Sequence, residues 1–149
     1  MDLLVAVDGS TEANAALERA LDVAEPTDGS ITVVHAVNPD VYEVGGMDPI
    51  SGLSDADERL LVESLEDAET RGDEILDEAV AAVQDRDVPV QSELLYGPPA
   101  ERIVEYADER DVDGIYVGHR GMSDRLEGLL GSVAKRIATR ATVPVTIVR

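Results

Sequence analysis

The 149-residue chain contains no cysteine, which excludes disulfides, thiolate metal sites and thiol catalysis. It has neither tryptophan nor phenylalanine, and four tyrosines make up its whole Phe, Trp and Tyr content. Its core must therefore come from small branched aliphatic side chains packed between closely spaced elements, which suits helices laid on a sheet. Cations are scarce: 11 arginines and one lysine, Lys135, stand against 32 acidic residues, for a net charge of -20. Nucleic acid and anionic membrane both need a basic surface and are excluded as partners. No stretch approaches the roughly 18 apolar residues of a membrane span, and no basic region followed by an apolar run opens the chain. A cytoplasmic protein is expected. Self-repulsion at this charge strains a compact fold unless it is screened, and molar salt shortens the screening length to about 3 Å. With the scarcity of lysine, the acidity points to the cytoplasm of a halophile.

What is present is a regular alternation of short apolar runs with helical periodicity, the pattern of strand-helix-strand units and a parallel sheet. The length suits a single domain spanning residues 1–149, with roughly 70% of its unfolded surface buried. Five strands are predicted, at 3–7, 31–37, 90–95, 114–117 and 143–148; they are rich in branched residues, as strands covered on both faces should be. The first helix begins near Ser10, carries Ala16, Leu17, Ala20, Leu21 and Ala24 on one face and stops at Pro26, before a turn at 27–29. The second runs roughly over 55–86, with Leu61, Leu65, Ala68, Gly72, Ile75, Leu76, Ala79 and Val83 recurring at steps of three or four. The third follows Pro98 and Pro99 and buries Ile103, Val104 and Ala107; the fourth starts at Ser132 with Val133, Ile137, Ala138 and Ala141 inward. Right-handed crossovers make this order a doubly wound α/β sheet, whose ligands bind beyond the carboxyl ends of the strands where the winding reverses. Residues 38–54 form a loop with three glycines and two prolines, either a plain connection or a flap over that crevice.

The chemistry concentrates in GHRGMSDRLEGLLGS, residues 118–132. Gly118 and Gly121 free the backbone after a buried strand, and after nine intervening residues Gly131-Ser132 open a helix whose first amides can face an anion. Charge agrees. Residues 40–88 hold 16 acidic groups and three arginines, whereas residues 118–149 hold six cations against Asp124 and Glu127 alone. Cations gathered beside a glycine-rich turn suit an anionic ligand; the alternative is that they pair with neighbouring acids. Of the two variable motif residues, Arg120 is the phosphate partner because its fork matches phosphate oxygens, and His119 faces solvent. His35 reads as a packed histidine, Asp124 and Glu127 as solvated side chains, Gly128 as a loop turn. No Gly-Lys-Ser phosphate loop and no dinucleotide fingerprint after the first strand is present, so neither P-loop hydrolysis nor NAD binding is indicated. Asp8, in VDGS, is open to two readings, an acceptor for a ligand donor or a cap of the first helix. No residue pattern forms a metal site or a catalytic group.

This glycine spacing, with LLVAVDGS at the start, VVHAV at 33–37 and VPVTIVR at the end, resembles the universal stress protein family in its nucleotide-binding branch, over nearly the whole chain. The resemblance implies strand order 3-2-1-4-5, which brings Asp8 and Gly118 to one crevice. It implies ATP as ligand, with Mg or Mn bound through the phosphates. Gly121, Gly131, Ser132 and Val133 would offer amides to those phosphates, and Gly118 would lie by the ribose. Asp8 would meet an adenine or ribose donor, and Ala6 and Ala36 would contribute backbone groups. It also implies a twofold homodimer through strand 143–148, whose apolar edge another subunit can pair with. The expected function is an ATP-binding, non-enzymatic stress-response protein that reports nucleotide occupancy to an unidentified protein partner. The alternatives are a slow Mg-dependent ATPase, or a dimeric regulatory module that binds AMP or no nucleotide.

Overall fold

The computed structural model describes residues 1–39, 55–120 and 129–149, and of 55–64 the backbone alone. Strand β1 (Asp2–Ala6) leads into helix α1 (Thr11–Ala24), and β2 (Ser30–Val37) precedes α2 (Asp55–Ala82). Then follow β3 (Val90–Tyr96), α3 (Pro99–Arg110), β4 (Gly114–Gly118), α4 (Ser132–Arg140) and β5 (Val145–Val148). All pairings are parallel, and the order is β3-β2-β1-β4-β5, as expected.

Alternation along the central strands divides the core between two layers. Leu3 and Val5 of β1 and Val7 just beyond it, with Ile31 and Val33, meet Leu17, Ala20 and Leu21 of α1 and Leu76, Ala79 and Val83 of the α2 region. Leu4, Val34, Ile115 and Val117 turn to the opposite face, where Ile103 and Ala107 of α3 and Ala134 and Ile137 of α4 cover them. Leu4, Val5, Val33, Val34 and Ile115 are wholly shielded from solvent, so truncating any one to alanine costs the removed transfer energy plus a cavity, about 2–5 kcal/mol for leucine or isoleucine. Gly72 shows how close α2 lies: a Cβ there would come within 2.8 Å of Leu94 Cδ1 and 2.9 Å of His35 Cδ2.

Several boundaries depart from the sequence expectation, each for a physical reason. Pro26 does not end the chain's coiling outright. It is accommodated in a 3-10 turn, Glu25–Thr27, because a proline early in a turn has no N–H to lose. Asp28 then takes the left-handed conformation at φ 51. Helix α2 stops at Ala82 rather than near 86, and Arg86 beyond it binds Glu18 at 2.9 Å, Asp22 at 3.0 Å and Glu25 at 2.8 Å, fastening this turn to α1. Strand β5 begins at Val145, not Val143: Pro144 has no N–H for the ladder, and only its carbonyl joins, accepting from Ile115 N at 2.9 Å. In α4 it is Ala134 that is buried, while Ala138 faces solvent.

Candidate functional site

Beyond the carboxyl ends of β1 and β4, where the sheet's winding reverses, lies a crevice of about 220 Å³. Its walls include Ala6, Asp8, Ala36, Gly118, Arg120, Gly131, Ser132 and Val133. The first strand, the second, the fourth and the start of α4 thus bring to one place eight of the residues singled out from sequence. The ninth, Gly121, lies outside the described residues, as do Asp124, Arg125, Glu127, Gly128 and all but the first two residues of the 38–54 loop.

Each element arrives by its own local logic. Ser10 caps α1, its hydroxyl accepting from Ala13 N at 3.1 Å. Asp8 is therefore not the cap. Its Oδ1 accepts the N–H of Ser10 at 3.0 Å, which shapes the turn that delivers the cap and leaves the half-buried carboxylate at the crevice wall. Gly118 has a packing reason of its own, because a Cβ there would fall 2.8 Å from the carbonyl carbon and Cβ of Glu12. The first turn of α1 can lie against the end of β4 only if residue 118 has no side chain.

The start of α4 is open. Gly131 stands at its N-cap without a side chain to offer, and no acidic residue occupies the first turn. The amides of Ser132, Val133 and Ala134 have no partner within the helix, and with the helix dipole they favour an anion. The Gly131 amide does not join them: it donates to the carbonyl of His119 at 2.6 Å. This corrects the expectation that Gly131 offers its N–H outward; its contribution is the bare N-cap.

Arg120 has a protein partner as well as a place in the crevice wall. Its Nη2 donates to Glu12 Oε1 at 3.3 Å, and the two side chains are only 24% and 20% exposed. Arg140 likewise pairs with Glu101 at 2.9 Å. Pairing with neighbouring acids thus accounts for two cations of the basic segment, and of that segment only Arg120 lines the crevice among the described residues. His119 is half-buried rather than facing solvent, with Nδ1 buried and unpartnered among the described residues.

His35 is packed, as read from sequence: its Nδ1 lies 2.8 Å from the carbonyl of Val7, so Nδ1 carries the proton and donates. The ring also lines the crevice. Pro99 and Ile103 join from the start of α3. Neither was anticipated; the signal available was the Pro98-Pro99 helix start, which follows a strand on the same side of the sheet. Among the described residues no group of three or more His, Asp or Glu could hold a metal ion.

The topology defines a doubly wound α/β protein, and the crevice lies at its switch point, where such folds bind ligands. Residues 1–149 match the model of the Universal stress protein family, and the chain belongs to that family. It is similar to Universal stress protein YxiE of Bacillus subtilis, 30% identical over 147 residues that cover 99% of this chain and 97% of that protein. Universal stress protein UspA from Lactobacillus plantarum shares the fold with a TM-score of 0.82 at 22% identity, covering 100% and 97% of the two chains. The universal stress protein from Archaeoglobus fulgidus in complex with dAMP superposes with a TM-score of 0.69 at 25% identity, covering 100% and 98%. No described helix is long and apolar enough to cross a membrane.

Proposed function

We propose that this chain binds an adenine nucleotide in the switch-point crevice, ATP with Mg or Mn carried by its phosphates, and acts as a cytoplasmic stress-response protein rather than an enzyme. The observation that carries this reading is the convergence of Asp8, Gly118, Arg120 and the uncapped start of α4 on one cavity. A crevice of about 220 Å³ is smaller than the roughly 300–1,000 Å³ of full ligand pockets. It suits the nucleoside end, with Ala6 and Ala36 as small wall residues and Asp8 as acceptor for a base or ribose donor. The phosphates then lie toward the amides of Ser132 and Val133, with Gly118 beside the ribose and Gly121 as a further backbone donor. With no protein cluster to hold it among the described residues, a divalent ion would come with the nucleotide. The A. fulgidus complex with dAMP favours a second reading, an adenine monophosphate as the resident ligand.

Nucleotide occupancy is read by a protein partner, and two copies associate through the edge strand β5, where an apolar Val-Thr-Ile-Val run is unpaired on its outer side among the described residues. The net charge of -20 supports work in concentrated salt. Titration calorimetry with ATP and magnesium in about 2 M KCl, where screening is nearly complete, tests the reading. Saturable heat at one site per chain is expected. No heat with ATP, AMP or adenosine overturns it, and turnover of ATP lost in Ser132→Ala would replace it with a slow ATPase.

A further inference from the structure

Two charged side chains line the crevice among the described residues, Asp8 and Arg120. Arg120 is not a lone cation, because Glu12 lies against it at 3.3 Å in a mostly buried pair. Both carboxylate oxygens of Glu12 have a donor: Oε1 receives Arg120, and Oε2 receives the hydroxyl of Thr11 at 3.1 Å. The position of Glu12 is fixed by the fold, since its backbone packs on Gly118 too closely for any side chain to intervene. Its own backbone N–H first, then the Thr11 hydroxyl, then the Arg120 guanidinium hold the carboxyl below the usual glutamate range, so it is charged at neutral pH. The buried Nε of Arg120 has no partner among the described residues, leaving a donor unmatched in the pair. With Glu12 against it, Arg120 brings no net charge of its own to the crevice.

We propose that Glu12 sets the phosphate charge this crevice accepts: by neutralising Arg120 it favours a nucleoside or nucleoside monophosphate over an uncompensated triphosphate. A triphosphate enters with the metal that offsets its charge. This rests on the nucleotide reading above and adds a specificity residue to it. Glu12 acts through Arg120 and through its own field, and need not touch the ligand. A unit charge a few ångströms from a phosphate at the protein surface is worth on the order of tenfold in affinity once solvent screening is allowed for.

The test is a ladder of adenosine, AMP, ADP and ATP, titrated calorimetrically without magnesium and with EDTA. The buffer is the lowest KCl concentration at which circular dichroism shows the folded chain. In Glu12→Gln, ATP should bind about tenfold tighter, AMP should gain less, and adenosine should be unchanged, which also shows the crevice intact. Glu12→Asp, which keeps the charge, should retain the wild-type ladder. Arg120→Gln should lower the ATP-to-adenosine affinity ratio, because it leaves Glu12 uncompensated. An equal change for all four ligands in Glu12→Gln, or no change, overturns the proposal. If that variant does not fold, an unchanged ratio in Arg120→Gln overturns it. Should adenosine and AMP bind while the ladder ignores Glu12, the proposal alone fails; should none of the four bind the wild type, the nucleotide reading fails with it.

Discussion

Two helix starts flank the crevice, and they are built on opposite plans. Helix α1 satisfies itself: the Ser10 hydroxyl takes the Ala13 amide, and Glu12 places a negative charge in the first turn, where the dipole favours it. Helix α4 has a glycine N-cap, no acid in its first turn and, among the described residues, no side-chain cap. A helix start that omits these stabilising groups is less stable alone and open to a ligand that supplies the missing acceptor. One start is closed by its own side chains and the other is bare, and they are held side by side because β1 and β4 are neighbours in the sheet.

The largest blow to this arrangement should come at Gly118, where the two halves touch. Gly118→Val puts a side chain into the backbone of Glu12, and a loss of about 3 kcal/mol is expected from overpacking against atoms that cannot move singly; urea unfolding at equilibrium measures it. Removing the α1 cap with Ser10→Ala should cost about 1 kcal/mol and leave the ratio of ATP to adenosine affinity unchanged. A changed ratio would mean that the capped start is not purely structural. Making α4 resemble α1 is the converse test. Ser132→Asp should stabilise the fold by about 0.5 kcal/mol through the dipole and weaken ATP more than adenosine. A destabilised protein with undiminished ATP binding would break the comparison. The smallest effect is in pH. The folded-state pKa of Glu12 is depressed, so its contribution is complete above the usual glutamate range and is lost as pH falls through the lowered folded value. Glu12→Gln should therefore flatten the acid limb of the stability profile slightly, in a melting series against pH.

Much of this was legible in the chain. The strands announced themselves because each is a short branched run bounded by turn residues, and the α1 cap because Ser10 precedes a periodic stretch. The glycine pattern led to the crevice because backbone freedom and a bare helix start leave a mark in spacing. Other features left no such mark. The pairing of Arg120 with Glu12 joins residues 108 apart in sequence, and a local pattern carries no record of it. The packing duty of Gly118 depends on where α1 lies, and the inward turn of the Gly131 amide on where the His119 carbonyl points. Ala134 and Ala138 are equally apolar, and only the tilt of α4 on the sheet decides which is buried.

His119 carries one more consequence. Its N–H donates to the Val148 carbonyl at 2.7 Å and its carbonyl accepts from Gly131 at 2.6 Å, so one residue buttons the sheet edge to both ends of the intervening segment. For protein engineering this makes the His119 backbone an anchor: both bonds are made by main-chain atoms, so a substitution at 119 that keeps the backbone in place should leave the five-stranded frame to fold as before.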